Sequence, residues 1–266
     1  MEGNKVSGES SRKAFLIELR QRIIRISIAV IAIISICMTM NITTFDFGGY
    51  KMLILYPDML HNISSQIISF MKDTLLPKNV SLIQISPGQA FSAQIFVAIV
   101  TGVIIALPIV FAEVFAFISP ALKHHEKKVI KNIMLPSILL FLAGCFFSYY
   151  VVMPYTIEFL YKYGESMTVV SFFDVSLFIS FVMQMLMVFG LSYQLPLVMW
   201  GLTKTNLVKS MFWKKNFRYV MIILVIIGAI ITPDGSGVSM WFVTGPLIFL
   251  YVIGLLLIEL KIDKNG

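Results

Sequence analysis

The chain reads as an all-α integral membrane protein of six transmembrane helices, both termini cytoplasmic, with short amphipathic helices in its first external loop. Three observations predict this. Hydrophobic residues make up 58% of the 266 and charged residues 13%, far from the balance of a water-soluble domain. The apolar residues form continuous runs and do not alternate with polar ones, which favours helices over a barrel. Seventeen of the 21 lysines and arginines lie in the N-terminal tail, the loops 119–131 and 202–218 and the C-terminus, so the positive-inside rule puts these on the cytoplasmic side. The net charge of +7 is therefore a topology signal, and the basic residues form no single face that would suit nucleic acid.

The first span is expected over 23–40. It is longer than the apolar core of a secretory signal, and no small-x-small cleavage pattern follows in MTMNITTF, so it is read as a retained helix. Residues 41–88 are too polar to cross and form an external cap segment, in which MLHNISSQIISFMKD has the pattern of a short helix lying over the outer face. Asn41, Asn62 and Asn79 each start an Asn-x-Ser/Thr sequon there. Chance accounts for them, with glycosylation as the alternative.

The second span, 90–118, opens at SPGQAF, where Ser86 and Gln89 form a Ser-x-x-Gln capping box around Pro87. At 1.5 Å per residue it is about 45 Å long and must tilt, bend or project, with Pro108 as the place to bend. The third and fourth spans fall at 132–154 and 174–200. The fifth, 219–232, covers only about 21 Å as a helix before Thr232-Pro233 stops it, which implies thinned bilayer or an end buried in protein. The sixth covers 240–258. The whole chain, 1–266, is one transmembrane domain.

Polar groups inside these runs are the natural site candidates. Glu113 lies one turn before the inner end of the second span, and is either an acid snorkelling to the headgroups or a functional group. Gln184 and Gln194 suit hydrogen bonds between helices. Cys37 and Cys145 are read as small buried side chains. His124, His125 and Glu126 are consecutive, so on a helix they point three ways and cannot close on one metal ion.

FLIELRQRI, ALPIVFAEVFAFISPALKHHEKKV, FFSYYVVMP, SFVMQMLMVFGLSYQLPLV, ITPDGSGVSM and GPLIFLYVIG, in that order along nearly the whole chain, resemble the TatC family of twin-arginine translocase subunits. The resemblance implies a receptor with no enzymatic chemistry, cofactor or metal. Such a protein binds the twin-arginine signal peptides of folded cargo at its cytoplasmic face. It recruits single-span TatA-type subunits, with TatB-type subunits as further partners, for export driven by the proton-motive force. It implies a homo-oligomeric receptor complex in the lipid of the plasma or cytoplasmic membrane.

Residue by residue, the resemblance implies signal-peptide acids at Glu126 and Glu18, with Arg20 in the motif before the first span and Phe117, Pro120 and Leu122 in the loop motif. It also assigns Pro57 to the external proline, Asp234 to the acid after the fifth span and Thr232 to the region that receives a TatA-type helix. An arginine fork is accepted bidentately by a carboxylate in a way lysine cannot copy, and two arginines need two acceptors. The competing readings are salt bridges, from Glu126 to Lys123 or Lys127 and from Glu18 to Arg22 at i+4.

This chain departs from the family where it has Gln194 for an acid in the fourth span, Glu113 for a glutamine in the second, and Met240 for a glutamine in the sixth. One expectation is that the buried acid has moved to Glu113 across a shared cavity. The alternative class is a six-helix secondary transporter using Glu113. An intramembrane serine protease would need a base near its nucleophile, and His61, His124 and His125 all lie outside the spans.

Overall fold

The computed structural model describes residues 3–47, 50–77, 80–118, 124–167, 172–205, 207–232 and 237–260, with side chains except at 3–14, 45–47, 50–53, 118 and 124–132. Five helical stretches are long and apolar enough to cross a membrane: Phe15–Thr39, Gln89–Phe117, Ile133–Ser166, Val175–Lys204 and Val238–Ile258. A sixth apolar helix, Phe217–Ile231, is shorter. These occupy the six expected runs, and the membrane-spanning class follows.

Helix α1 (Gly3–Thr39) passes into the external segment, where the structure departs from expectation. Residues expected to form only short helices instead build an antiparallel hairpin, β1 (Met40–Phe47) and β2 (Tyr50–Pro57), in register from Met40 opposite Pro57 to Phe47 opposite Tyr50. The reason is chemical. NITTFDF and YKMLILY are rich in β-branched and aromatic residues, and Gly48-Gly49 between them is a two-residue hairpin sequence. The expected amphipathic helix follows as α2 (Ile63–Leu75), whose Asn62 cap accepts from the Ser65 amide at 2.9 Å.

Two of the sequons are closed in this fold. Asn62 is fully buried, and its amide nitrogen donates to the carbonyls of Met38 at 3.1 Å and Met59 at 3.0 Å. Asn41 is 6% exposed and its amide nitrogen donates to the Tyr56 hydroxyl at 3.0 Å. Neither nitrogen can carry a glycan in the folded chain. Asn79 lies outside the described residues.

Strand β3 (Ser81–Ile83) pairs in parallel with β4 (Phe172–Asp174), joining the outer ends of two helices. The first of these, α3 (Gln89–Ile118), starts later than the capping box suggests. Gly88 has φ +79°, a left-handed conformation that suits glycine and cannot belong to a helix. Half of the box survives, since Gln89 Oε1 accepts from the Ser86 amide at 3.4 Å, and it accepts more closely from the Ile85 amide at 2.8 Å. The Gln89 amide group then donates to Asp174 Oδ2 at 2.6 Å.

Helix α4 (His124–Phe147) continues through a π-helical turn, Ser148–Val152, into α5 (Met153–Ser166), so the third span runs well past its expected end at 154. Pro154 has no N–H for the Tyr150 carbonyl, and the ladder slips there to a bond from Met153 to Ser148. Proline also splits the fourth span into α6 (Val175–Ser192) and α7 (Leu195–Lys204), because Pro196 leaves the Ser192 carbonyl without its helical donor. Short α8 (Ser210–Lys215) leads into α9 (Phe217–Ile231), the abbreviated fifth span, and α10 (Val238–Ile258) is the sixth.

Helix α6 is the axis of the core. Phe178, Ile179, Val182, Met183, Met185 and Phe189 on it are buried, and it packs against α3, α4, α9 and α10. In lipid such contacts gain from close packing more than from excluding water. Accordingly a Cβ on Gly190 would sit 2.5 Å from Phe141 Cζ, so only glycine lets α4 and α6 approach this closely.

Candidate functional site

The start of α1 and the end of α3 lie side by side and antiparallel, and they bring the charged groups at this end of the bundle together. Phe15 and Phe117 mark the end of the contact, with ring centroids 4.9 Å apart and planes tilted by 43°. Above them runs a chain of alternating charges. Arg22 donates from Nη2 to Glu18 Oε1 at 2.7 Å and from Nε to the same oxygen at 3.1 Å. Its Nη1 donates to Glu113 Oε2 at 2.8 Å, and Arg25 Nη1 donates to Glu113 Oε1 at 3.1 Å.

The spacing explains why α1 can do this: Glu18, Arg22 and Arg25 stand at i, i+4 and i+7 and share one helical face. Glu113 sits five residues before the end of α3, about 8 Å along the axis, so the network lies close to that helix end. Exposure grades along it. The Glu113 and Arg22 side chains are 15% and 17% exposed, while Glu18 and Arg25 are 39% and 61% exposed. Two carboxylates thus clasp one guanidinium, and charge-assisted bonds of this kind strengthen where water is partly excluded.

Sequence reasoning foresaw the Glu18–Arg22 pair as the competitor to a ligand role for Glu18, and that pair forms. It reads Glu113 as either a snorkelling acid or a functional group and names no partner for it; in the structure Glu113 is bound to two arginines, Arg22 and Arg25. Arg25 was overlooked altogether. The i+7 repeat of charge on an otherwise apolar helix was the signal that could have found it.

The other candidates are spread over the molecule. Arg20 is exposed on α1, off the face shared by Glu18 and Arg22. Glu126 is the third residue of α4, where the helix N-terminus favours an acid, but its side chain is outside the described residues, as are Pro120, Leu122 and Asp234 entirely. Pro57 ends β2 and is exposed. Beside it, Asp58 accepts from the amides of His61 at 3.1 Å and Leu60 at 2.9 Å, which holds its carboxyl below the usual range.

Thr232, 7% exposed, caps α9 by donating to the Gly228 carbonyl at 3.0 Å. Gln194 donates to the Ser137 carbonyl of α4 at 2.9 Å, an interhelical bond of the expected kind. Gln184 is exposed on α6. Since Gln194 is engaged with α4 and Glu113 with α1, the two have separate partners, and no described contact joins them.

With this geometry in place, similarity to known proteins is informative. The sequence model of the family described as "Sec-independent protein translocase protein (TatC)" matches residues 14–246. A TatC protein of Cenarchaeum symbiosum is 45% identical over 248 residues, covering 93% of this chain and 94% of that one. A TatC protein of Aquifex aeolicus is 32% identical over 202 residues, covering 75% and 83%. A solved structure described as the twin arginine translocase receptor TatC superposes with a TM-score of 0.77 at 29% identity, covering 92% of this chain and 98% of that one.

Proposed function

The chain belongs to the TatC family of multi-pass membrane translocase proteins, and from that premise we propose that it is the signal-peptide receptor core of a twin-arginine protein translocase. In this reading the chain is a single domain in the plasma or cytoplasmic membrane, with both termini inside. It binds the paired arginines of a folded cargo's signal peptide at the cytoplasmic face and then recruits TatA-type, and where present TatB-type, subunits. Transport draws on the proton-motive force. The chain supplies binding and positioning but no covalent chemistry, and it works as a homo-oligomer.

The observation that carries this reading is the clasp at the inner ends of α1 and α3, where Glu18 and Glu113 hold a guanidinium between them. It supports a surface whose chemistry is matched to arginine. In the proposal, Glu18 and the loop acid Glu126 accept the two cargo arginines. Phe117, Pro120 and Leu122 shape the helix end beside them, and Arg20 lies on the exposed side of α1. Thr232, Asp234 and the outer residues around Pro57 serve partner contacts, and Gln194 ties the fourth span to the third. The transporter reading of Glu113 has no support, because the acid is spent in ion pairs and the family is established.

Export in living cells tests this. In a host lacking its own TatC and supplied with matching TatA-type subunits, the chain should export a folded reporter that carries a twin-arginine signal. Glu126→Gln should reduce export at least tenfold with the protein still in the membrane. Undiminished export by that variant would remove Glu126 from the site.

A further inference from the structure

The carboxylate proposed to meet the cargo already holds an arginine. Arg22 reaches Glu18 Oε1 with two nitrogens, Nη2 at 2.7 Å and Nε at 3.1 Å, which is the contact an incoming guanidinium would need. We propose that Arg22 is a resident competitor for Glu18, displaced by the signal-peptide arginine and caught by Glu113. The inference rests on the reading of Glu18 as a signal-peptide acid and adds the residues that set its affinity.

Three features of the geometry lead there. The two carboxylates lie on opposite sides of one guanidinium, since Nη1 already touches Glu113 Oε2 at 2.8 Å, so leaving Glu18 costs Arg22 one partner and not both. Exposure gives the exchange a direction: Glu18 at 39% is the accessible acid, and Glu113 at 15% is the withdrawn one. Arg25 can make room on Glu113, because it is 61% exposed and reaches that carboxylate through a single nitrogen at 3.1 Å. Removing one partner of a partly buried charge cluster is costly. A second carboxylate on the far side lowers that cost, and a glutamine at 113 would offer an acceptor oxygen but no charge.

A resident competitor weakens every cation that binds Glu18 by the same factor, as any equilibrium that hides the competent state does. Arg22 therefore tunes affinity and release, and leaves the preference for arginine over lysine to the shape of the site. A purely structural arginine would behave differently, since its loss would loosen the contact of α1 with α3 and weaken binding.

The test uses the full chain in detergent and labelled signal peptides bearing Arg-Arg or Arg-Lys, with thermal unfolding as a folding control. Arg22→Gln should tighten both peptides by about 2- to 5-fold, the range expected for one partly exposed ion pair, with their ratio unchanged. Glu113→Gln should act in the opposite sense and weaken both, because Arg22 then keeps Glu18 as its one carboxylate partner on this face. Arg22→Lys, which lacks the Nε contact, should tighten both to a smaller extent and serves if the glutamine variant does not fold. Unchanged or weaker binding by a folded Arg22 variant overturns the proposal. If Glu18→Gln binds the Arg-Arg peptide as the parent does, the reading of Glu18 fails; if it loses binding while Arg22→Gln does not tighten it, only the competitor fails.

Discussion

The acids of this chain divide by what holds them. Glu18 and Glu113 are held by arginines of α1, whereas Asp174 is held by backbone and amide donors at the start of α6. Asp174 Oδ1 accepts from the Leu177 amide at 2.9 Å, and this bond, helped by Gln89 at 2.6 Å, keeps its carboxyl below the ordinary range. A carboxyl whose folded pKa is depressed contributes stability that is fully present above its unfolded pKa, about 3.9, and lost as pH falls through the lower folded value. The melting temperatures of the parent and of Asp174→Ala should thus differ by a constant amount from pH 7 to about pH 5, and begin to approach each other as pH falls below about 4. A difference that does not narrow at all as pH falls below about 4 would mean the carboxylate charge is not what ties α3 to α6. The i, i+4 pair within α1 was legible from spacing alone. Its link to Glu113 was not, because 91 residues separate Glu113 from Arg22 and nothing local encodes that approach.

Among the elements, the spans were legible and their interruptions less so. Hydropathy marks where a chain enters lipid, but the π turn before Pro154 and the break before Pro196 depend on how freed carbonyls are accommodated by neighbours. The hairpin was present in the sequence as β-branched strands around Gly-Gly, and an expectation of amphipathic helices over the cap hid it. Helix packing adds a test at this scale. Gly190→Ala drives a methyl into the Phe141 ring and should cost about 1–3 kcal/mol in thermal unfolding, as overpacking does. Gly245→Ala on α10 meets nothing within 4 Å and should stabilise by about 0.5–1 kcal/mol. Equal effects from the two would contradict the close approach of α4 and α6.

The whole molecule is a bundle whose expected orientation rests on counting charge and whose family is legible in motifs spread along it. Both levels rest on many residues, so single departures such as Gln194, Glu113 and Met240 do not disturb them. What those departures change is local: an acid at 113 gives α1 a partner it can hold by charge. The most direct test of the receptor function is binding of a signal peptide to the purified chain in detergent or nanodiscs. A peptide with two consecutive arginines should bind, and changing both to lysine should weaken binding at least tenfold, because lysine cannot reproduce the forked bonds to carboxylate. Equal affinity for the two peptides would contradict the account.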